Sequence, residues 1–280
     1  MKEITYEQVV ETVSELCMSA NYYLGEDVIQ SLKEGIAKEK SETGVKVLEQ
    51  LVENAAIASA NQVPMCQDTG VAVVFLEVGQ EVHITGGDLY QAVNEGVAKG
   101  YVEGYLRKSM VNDPLIRKNT NDNTPAVIHT KIVPGDNLTI TVAPKGGGSE
   151  NMSAIKMLPP SAGRQGVIDF VLETVKNAGP NPCPPIVVGV GIGGNFEKAA
   201  LLAKEALLRP VGSVNPNEEL AELEKELLES INKLGIGPQG FGGVVTALDV
   251  HVNTFPCHIA SLPVAVNINC HAARHKTKTI

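Results

Sequence analysis

The segment PMCQDTGVAVVFLEV, residues 64–78, joins a turn to a strand and decides how the rest of the chain is interpreted. Its first half, with Pro, Asp, Thr and Gly around Cys66, leaves regular structure. Its second half, Val71–Val78, is rich in valine and predicts a strand. Helical periodicity precedes the segment, and helix and strand patterns alternate after it. The sequence therefore predicts a mixed α/β (α+β) fold, with a helical subdomain over residues 1–60 and an α/β subdomain with mixed sheets over residues 61–280.

The spacing of apolar residues locates the predicted helices, and two ends carry cap residues. Asp88 is the expected N-cap of one helix, and Gly235 follows another helix where a C-terminal cap belongs. The predicted helices cover about residues 5–21, 25–38, 41–61, 88–106, 161–177, 197–208 and 218–234.

Runs of β-forming residues predict strands in the second subdomain. Two of them, Ala126–Val133 and Leu138–Ala143, flank a turn of Pro, Gly, Asp and Asn, which is a hairpin signal. These two strands are therefore expected to pair with each other. The other predicted strands cover residues 71–78, 186–188, 244–250 and 262–267.

Composition is typical of a folded protein with a large core and excludes several classes of function. The chain has 280 residues, 43% of them hydrophobic, and no apolar run long enough to cross a bilayer. Its 23 basic and 32 acidic residues give a net charge of −9, which argues against nucleic acid or anionic lipid as a general partner. An anionic substrate is compatible with this charge, because a local cluster of cations can act inside an acidic protein.

The five cysteines fall into two groups. Cys66, Cys183 and Cys270 are far apart, and each lies in a turn-like segment that frees a side chain from core packing. Cys17 follows helical spacing and is interpreted as a small core residue, whereas Cys257 could flank a site without binding anything. An odd number of cysteines, without paired spacing or a secretory signal, argues against a disulfide framework and favours the reducing cytoplasm.

Three glycine-rich segments raise the question of nucleotide binding. Gly189–Gly194 lies between a predicted strand and a predicted helix, as in dinucleotide-binding proteins, but residues 207–211 lack the acidic residue expected to hold the ribose. A tight strand-to-helix turn near an anion or cofactor is therefore favoured over NAD binding. Lys145–Asn151 is not a P-loop because its Lys precedes the glycines, although its amides could hold a carboxylate. Ile236–Gly243 indicates only a flexible loop.

Five segments, in order along nearly the whole chain, resemble those of the class I iron-sulfur fumarate hydratases, a family whose close relative is L-tartrate dehydratase. Together these motifs are highly specific. Spacing alone gives dispersed single cysteines no metal-site fingerprint, and three unrelated buried thiols would then be the simplest interpretation. The segments are CQDTG at 66–70, NDNTPA at 121–126, KGGGSEN at 145–151, IGPQGFGG at 236–243 and ASLPVAVN at 260–267.

The resemblance implies a 4Fe-4S cluster held by three thiolates, which map onto Cys66, Cys183 and Cys270. The fourth iron then has an open position. Thiolates are soft donors that suit iron-sulfur clusters, and an incompletely ligated iron can act as a Lewis acid toward a substrate hydroxyl and carboxylate. The implied reaction is hydration without electron transfer.

The resemblance also implies how a dicarboxylate substrate is handled. Arg107 matches a family arginine that binds a substrate carboxylate, and His258 matches a histidine of the substrate pocket that could act as acid, base or hydrogen-bond donor. Asp68 could transfer a proton or orient a partner, and its alternative role is an Asx turn. The glycines expected to present amides to the substrate are Gly146, Gly147 and Gly148.

Longer family members continue into a C-terminal domain that supplies further substrate-binding cations and a catalytic residue. This chain ends at Ile280, ten residues after Cys270, so the resemblance implies the α subunit of a two-subunit enzyme. We therefore expect a separate β subunit, an active site at the subunit boundary and an α2β2 assembly.

The leading hypothesis is the α subunit of an iron-sulfur hydro-lyase that interconverts fumarate and L-malate. The nearest alternative is an L-tartrate dehydratase α subunit, which would form oxaloacetate. Two further alternatives belong to other classes: an NAD-dependent oxidoreductase that uses Gly189–Gly194, and a non-enzymatic iron-sulfur scaffold or sensor.

Overall fold

The computed structural model describes residues 2–280 and confirms the mixed α/β class. The helices are α1 Tyr6–Tyr22, α2 Glu26–Lys38, α3 Glu42–Asn61, α4 Leu89–Glu103, α5 Gly147–Glu150, α6 Gly163–Ala178, α7 Phe196–Ala206 and α8 Glu218–Asn232. The strands are β1 Lys2–Thr5, β2 Val71–Gly79, β3 Val82–Thr85, β4 Val127–Val133, β5 Leu138–Lys145, β6 Ala154–Leu158, β7 Ile186–Gly193, β8 Ala247–Phe255, β9 Leu262–Asn269 and β10 Lys276–Thr279. Across residues 2–280, none of the helices is both long enough and apolar enough to cross a membrane.

The chain divides into two compact units, each assembled from separate stretches. Unit 1 contains the residues up to Leu24 together with Ala55–Gly147 and Arg274–Ile280, and unit 2 contains Gly25–Asn54 and Gly148–Ala273. The first sixty residues, which the sequence suggests as a helical subdomain, contribute to both units: α1 belongs to unit 1 and α2 to unit 2. Helical periodicity shows that a helix has an apolar face, but it does not show which sheet that face will cover.

Unit 1 is built on a four-stranded sheet with the strand order β10-β5-β2-β4. The apolar strand β2 is central, with β5 antiparallel on one side and β4 parallel on the other. The predicted hairpin is therefore wrong, because β4 and β5 each pair with β2 and not with each other. Alternating apolar residues identify a strand but not its neighbour, and the mostly buried β2 gains by being paired along both edges.

Helices α1 and α4 contribute to the hydrophobic core of unit 1. Helix α1 begins with a capping box, in which the Thr5 hydroxyl accepts from the amide of Gln8 and the Gln8 side chain accepts from the amide of Thr5. The predicted N-cap of α4 is confirmed, since Asp88 Oδ1 accepts from the amide of Gln91 at 2.9 Å. Cys17 is fully buried in this core, as predicted, and burial raises the pKa of its thiol to about 12.

Unit 2 is built on a sheet with the order β6-β9-β7-β8, in which β7 runs parallel to β8 and antiparallel to β9. Helices α6 and α8 share a hydrophobic core with alternate residues of the sheet. On the opposite face of β9, Ala265 packs against Ala199 and Ala203 of α7. The result is a sheet covered by helices on both faces.

The glycines of β7 allow α7 to pack close to the strand. A Cβ atom at Gly189 would lie 2.1 Å from the carbonyl oxygen of Ala203, and one at Gly191 would lie 2.1 Å from that of Ala199. Gly194, in the turn before α7, has a φ of +67°, which favours glycine. The predicted tight strand-to-helix turn is confirmed, and close helix packing accounts for the glycine pattern without a dinucleotide.

Candidate functional site

The site residues proposed from the sequence are divided between the two units. All five cysteines, which lie within the described residues, are thiols and not disulfides. The residues in unit 1 are Cys66, Asp68, Arg107, Gly146 and Gly147. The residues in unit 2 are Gly148, Cys183, His258 and Cys270.

In unit 1, the turn Cys66–Gly70 connects α3 to β2, and buried side chains hold its carbonyl groups. The Tyr101 hydroxyl donates to the carbonyl of Thr69 at 2.7 Å and to that of Gly70 at 3.1 Å. Asn123 Nδ2 also donates to the Gly70 carbonyl, at 3.1 Å. Burial raises the pKa of Tyr101 well above its usual value, so its hydroxyl keeps the proton that it donates.

Arg274 supplies the donor for the preceding carbonyl of the same turn. It lies just before β10, and its Nη2 donates to the carbonyl of Asp68. The side chain is only 5% exposed, and within the described residues its Nε and Nη1 are buried without a hydrogen-bond partner. Consecutive carbonyls of the turn are thus held by donors that lie far away in the sequence. Sequence analysis missed Arg274 and Tyr101, since neither belongs to a recognisable local motif.

The carboxylate of Asp68 is held by two backbone amides. Its Oδ1 accepts from the amide of Gly70 at 3.0 Å, which is the Asx turn considered from the sequence. Its Oδ2 accepts from the amide of Gly147 at 2.8 Å. The glycine-rich segment therefore does hold a carboxylate, and that carboxylate is Asp68 of the same chain.

The thiol of Cys66 and the main chain of Arg107 belong to the same local arrangement. Cys66 Sγ accepts from the amide of Asp68 at 3.4 Å. The Thr69 hydroxyl donates to the carbonyl of Arg107 at 3.0 Å, which ties the exposed Arg107 to the turn. Unit 1 thus brings a thiol, a carboxylate and an arginine to one turn.

In unit 2, the segments around Cys183 and Cys270 are joined by hydrogen bonds. The amide of His271 donates to the carbonyl of Cys183 at 3.3 Å, and His271 Nδ1 lies 3.2 Å from the same oxygen. Cys183 has a φ of +56°, so the chain turns sharply there. Cys183 is exposed and Cys270 is half-buried.

The loop Ile236–Gly243 is more than a flexible connection, so that interpretation is wrong. Gln239 donates to the carbonyl of Pro184 from its amide at 2.7 Å and from its side chain at 2.8 Å. Its Nε2 also lies 3.1 Å from His271 Nδ1. The loop therefore holds the turn that follows Cys183.

His258 and Cys257 lie in an exposed loop between β8 and β9. His258 Nδ1 accepts from the amide of Ala260 at 3.1 Å, so in the neutral ring Nε2 carries the proton. The Cys257 thiol donates to the carbonyl of Ser261 at 3.3 Å. This local hydrogen bond stabilises the loop that carries His258.

Gly148 and Glu150 belong to the short helix α5. In unit 2, a Cβ atom at Gly148 would lie 3.4 Å from the carbonyl oxygen of Asn181, close to the Cys183 turn. Glu150 pairs with Lys204 at 2.7 Å and accepts from Asn267 Nδ2 at 2.7 Å. Unlike Gly147, therefore, Gly148 lies beside a cysteine turn of unit 2.

The three cysteines have the chemistry of cluster ligands. Within residues 2–280, no three His, Cys, Asp or Glu side chains form a group that could hold a metal ion. Thiolates of a cluster bind different irons, so they need not converge on one point as ligands of a single ion do. Cys66 accepts an amide hydrogen bond, and the Cys183 and Cys270 segments are joined to each other. As soft donors in turns, these residues fit an iron-sulfur group.

The sequence as a whole matches a known family. The family model described as Fumarate hydratase (Fumerase) matches residues 10–279, which is nearly the entire chain. This chain therefore belongs to the fumarate hydratase family. The hydro-lyase class follows from that membership.

Individual relatives have a more specific name. A protein of Methanocaldococcus jannaschii, provisionally named L(+)-tartrate dehydratase subunit alpha, is 47% identical over 279 residues and covers 98% of both chains. The L(+)-tartrate dehydratase subunit alpha of Escherichia coli strain UTI89 is 34% identical over 279 residues, covering 99% of this chain and 92% of the relative. The K12 strain protein of the same name gives the same figures.

Proposed function

We propose that this chain is the α subunit of an iron-sulfur hydro-lyase that interconverts fumarate and L-malate. The observation that carries the proposal is the turn Cys66–Gly70, where a thiol, the carboxylate of Asp68 and the main chain of Arg107 are linked by hydrogen bonds within one unit. Adding water to a double bond beside a carboxylate needs a held dianion, an activated water and a placed proton. The turn carries residue types suited to each need.

In this proposal Cys66, Cys183 and Cys270 hold a 4Fe-4S cluster as thiolates. When bound, such a cluster supplies an iron with an open position, which acts as a Lewis acid toward a hydroxyl and a carboxylate of the substrate. The amide of Asp68, which donates to Cys66 Sγ, would help to hold that sulfur in place as a ligand. A reducing cytoplasm would keep the thiols available.

Arg107 binds one carboxylate of the substrate. Its planar guanidinium matches the two oxygens of a carboxylate, which gives both charge and orientation. The side chain is exposed while the backbone is fixed by Thr69, so the guanidinium can reach a ligand from a defined base. The glycine-rich segment is assigned to the same substrate through Gly146, Gly147 and Gly148, with the amide of Gly147 acting through its hydrogen bond to Asp68.

Asp68 and His258 move protons in the proposal. Two amides orient the Asp68 carboxylate, and an ionised carboxylate can only accept, so it suits the removal of a proton from water or substrate. In its neutral form His258 carries its proton on Nε2, because Nδ1 accepts from Ala260, so it suits donation of a hydrogen bond to a substrate oxygen; only the imidazolium form can give up a proton. Proton removal is thus assigned to Asp68, and hydrogen-bond or proton donation to His258.

A separate β subunit completes the enzyme in this proposal, with an α2β2 assembly. The support for a β subunit is that the relatives are named alpha subunits. The alternative substrate, L-tartrate, is supported by the same names, because the three relatives described above are named for tartrate and not for fumarate. Dehydration of L-malate and dehydration of L-tartrate need the same kinds of catalytic group. The two substrates are therefore distinguished by measuring the turnover of each.

The test begins with anaerobic purification of the chain, reconstitution with iron and sulfide, and counting of both per chain. About four irons are expected in the wild type, with loss in Cys66→Ser, Cys183→Ser and Cys270→Ser. Cys257→Ser is the matched control and should keep its iron. Iron indifferent to the three cysteines would contradict the proposed cluster.

The second stage adds the β subunit from the same organism and measures turnover of fumarate, L-malate and L-tartrate. A kcat/KM at least about tenfold higher for fumarate and L-malate supports the leading proposal, and the reverse ratio supports the tartrate dehydratase. A reconstituted complex that turns over none of the three contradicts both.

A further inference from the structure

We propose that Arg274 is a positioning residue that acts through Asp68. In this proposal the guanidinium fixes the backbone of Asp68, so that the carboxylate and the neighbouring Cys66 sulfur are held in their working geometry. The catalytic part of the proposal rests on the hydro-lyase function proposed above. The structural part, that Arg274 fixes the turn, does not.

Burying the guanidinium of Arg274 to hold one carbonyl group has a high desolvation cost. A buried guanidinium has lost most of its hydration, and here Nε and Nη1 gain no hydrogen bond within residues 2–280 in return. The next two carbonyls of the same turn are held by the neutral groups of Tyr101 and Asn123. Neutral donors are therefore sufficient to shape the turn. The positive charge of Arg274 beside the carbonyl of Asp68 therefore points to a role beyond shaping the turn.

Strand pairing couples the two contacts that Asp68 makes. Arg274 lies two residues before the start of β10, which pairs with β5 in the register Lys276 to Val142. Strand β5 leads into Gly147, whose amide donates to Asp68 Oδ2. One pair of strands thus places a donor on the backbone carbonyl of Asp68 and another on its carboxylate. A shift of β10 would move the first contact relative to the second.

The catalytic test uses Arg274→Met and Arg274→Lys in the cluster-loaded enzyme with its β subunit. Misplacement of a working group by about 1 Å can reduce the rate about 100-fold, so we expect that loss of kcat in Arg274→Met, with KM within about threefold of wild type. Arg274→Lys keeps the charge and should recover at least about tenfold of the loss. Equal activity of Arg274→Met and wild type would overturn the proposal.

A double-mutant cycle with Asp68→Asn tests whether Arg274 acts through Asp68. If it does, Arg274→Met in the Asp68→Asn background should lower kcat by less than about threefold, because coupled residues are not additive. A second 100-fold loss in that background would show that Arg274 acts independently and would overturn the proposal.

Alkylation of Cys66 in the cluster-free chain gives a readout that needs no activity. Cys66 is half-buried, so its reaction with iodoacetamide depends on local opening of the turn. We expect about a tenfold faster reaction of Cys66 in Arg274→Met, measured by mass spectrometry, and no change at the exposed Cys257. Arg209→Met is the matched control, because Arg209 pairs with the buried Glu224 in unit 2 and its loss should not affect the Cys66 turn.

The outcomes separate the two proposals. If alkylation of Cys66 is faster in Arg274→Met but even the wild type has no hydratase or dehydratase activity, the proposed function is wrong. The proposal that Arg274 positions the turn would then still stand. Unchanged alkylation and unchanged kcat, in an active enzyme, would remove the positioning role and leave the function. If Arg274→Met does not fold, Arg274→Lys carries the same measurements, and an alkylation rate and a kcat equal to wild type in Arg274→Lys would refute the role of the guanidinium geometry.

Discussion

Asp68 in unit 1 and Glu39 in unit 2 are both carboxylates that accept hydrogen bonds from backbone amides beside a glycine-rich segment. They differ in how many of their acceptor sites those amides occupy. Glu39 is 8% exposed and accepts from the amides of Lys40, Ser41, Val244 and Val245 at 2.7–3.1 Å. Asp68 is half-buried and accepts from the amides of Gly70 and Gly147.

The difference indicates which carboxylate can take part in chemistry. A carboxylate has about four acceptor sites, and four amides occupy those of Glu39. The two amides on Asp68 orient it and use about half of its capacity. A saturated, buried carboxylate stabilises a loop, whereas a partly used one can still accept a proton or a ligand.

The largest expected effect is loss of activity in Asp68→Asn. The amide keeps the shape but can no longer take up a proton at neutral pH, so kcat should fall at least about 100-fold. Steady-state assay of the αβ enzyme measures this change, with thermal unfolding as the check on folding. Asp113→Asn is a matched control, because Asp113 also caps amides in a turn, those of Leu115 and Ile116. Equal losses in both variants would contradict a specific role for Asp68.

Glu39→Gln should show the opposite pattern. The glutamine places an NH2 group among backbone N–H donors, so we expect the free energy of unfolding to fall by about 3 kcal/mol at pH 7, with kcat per folded enzyme unchanged. Urea denaturation measures the loss. Glu34→Gln, on the exposed face of α2, should stay within about 0.5 kcal/mol of wild type.

The stabilisation by Glu39 should depend on pH. Burial favours the protonated form of Glu39, but hydrogen bonds from the amides of Ser41, Val245, Val244 and Lys40 outweigh burial and lower its pKa. Because the folded-state pKa lies below the unfolded value of about 4.3, the stabilisation is complete above that value and is lost as the pH falls through the folded-state pKa. The difference between wild type and Glu39→Gln should therefore shrink below pH of about 4. A constant difference from pH 7 to pH 3 would contradict this account.

The glycines next to the two carboxylates should also respond differently. A Cβ atom at Gly243 would lie 2.5 Å from Glu39 Oε1, and its φ of +136° disfavours other residues, so Gly243→Ala should cost about 2 kcal/mol. A Cβ atom at Gly146 would lie 3.3 Å from Asp68 Oδ2, so Gly146→Ala should cost less than about 1 kcal/mol. Urea denaturation of both variants tests the order, and the reverse order would show that Asp68 is packed as tightly as Glu39.

Local patterns predicted the helices and failed for long-range pairing. The cap at Asp88 and the spacing in α8 are written in neighbouring residues, so the sequence was sufficient for both. The position of β2 between β4 and β5 depends on contacts that alternation does not encode. Arg274 donates to Asp68 although the two residues are 206 positions apart in the sequence, and no local sequence pattern around either residue indicates that contact. The motifs around Cys66 and Gly146 indicated a candidate site, while the residues that hold the Cys66 turn were found only in the structure.

The division of unit 1 has a consequence for the order of folding. The segment Arg274–Ile280 completes unit 1, but it follows every residue of unit 2 in the chain. During synthesis, unit 1 therefore receives β10 and the guanidinium of Arg274 only after every residue of unit 2 has been added. The turn that carries Cys66 and Asp68 is synthesised early, but the hydrogen bond from Arg274 to the carbonyl of Asp68 can form only at the end of synthesis. Folding of unit 1 can therefore be completed only after the whole of unit 2 has been synthesised.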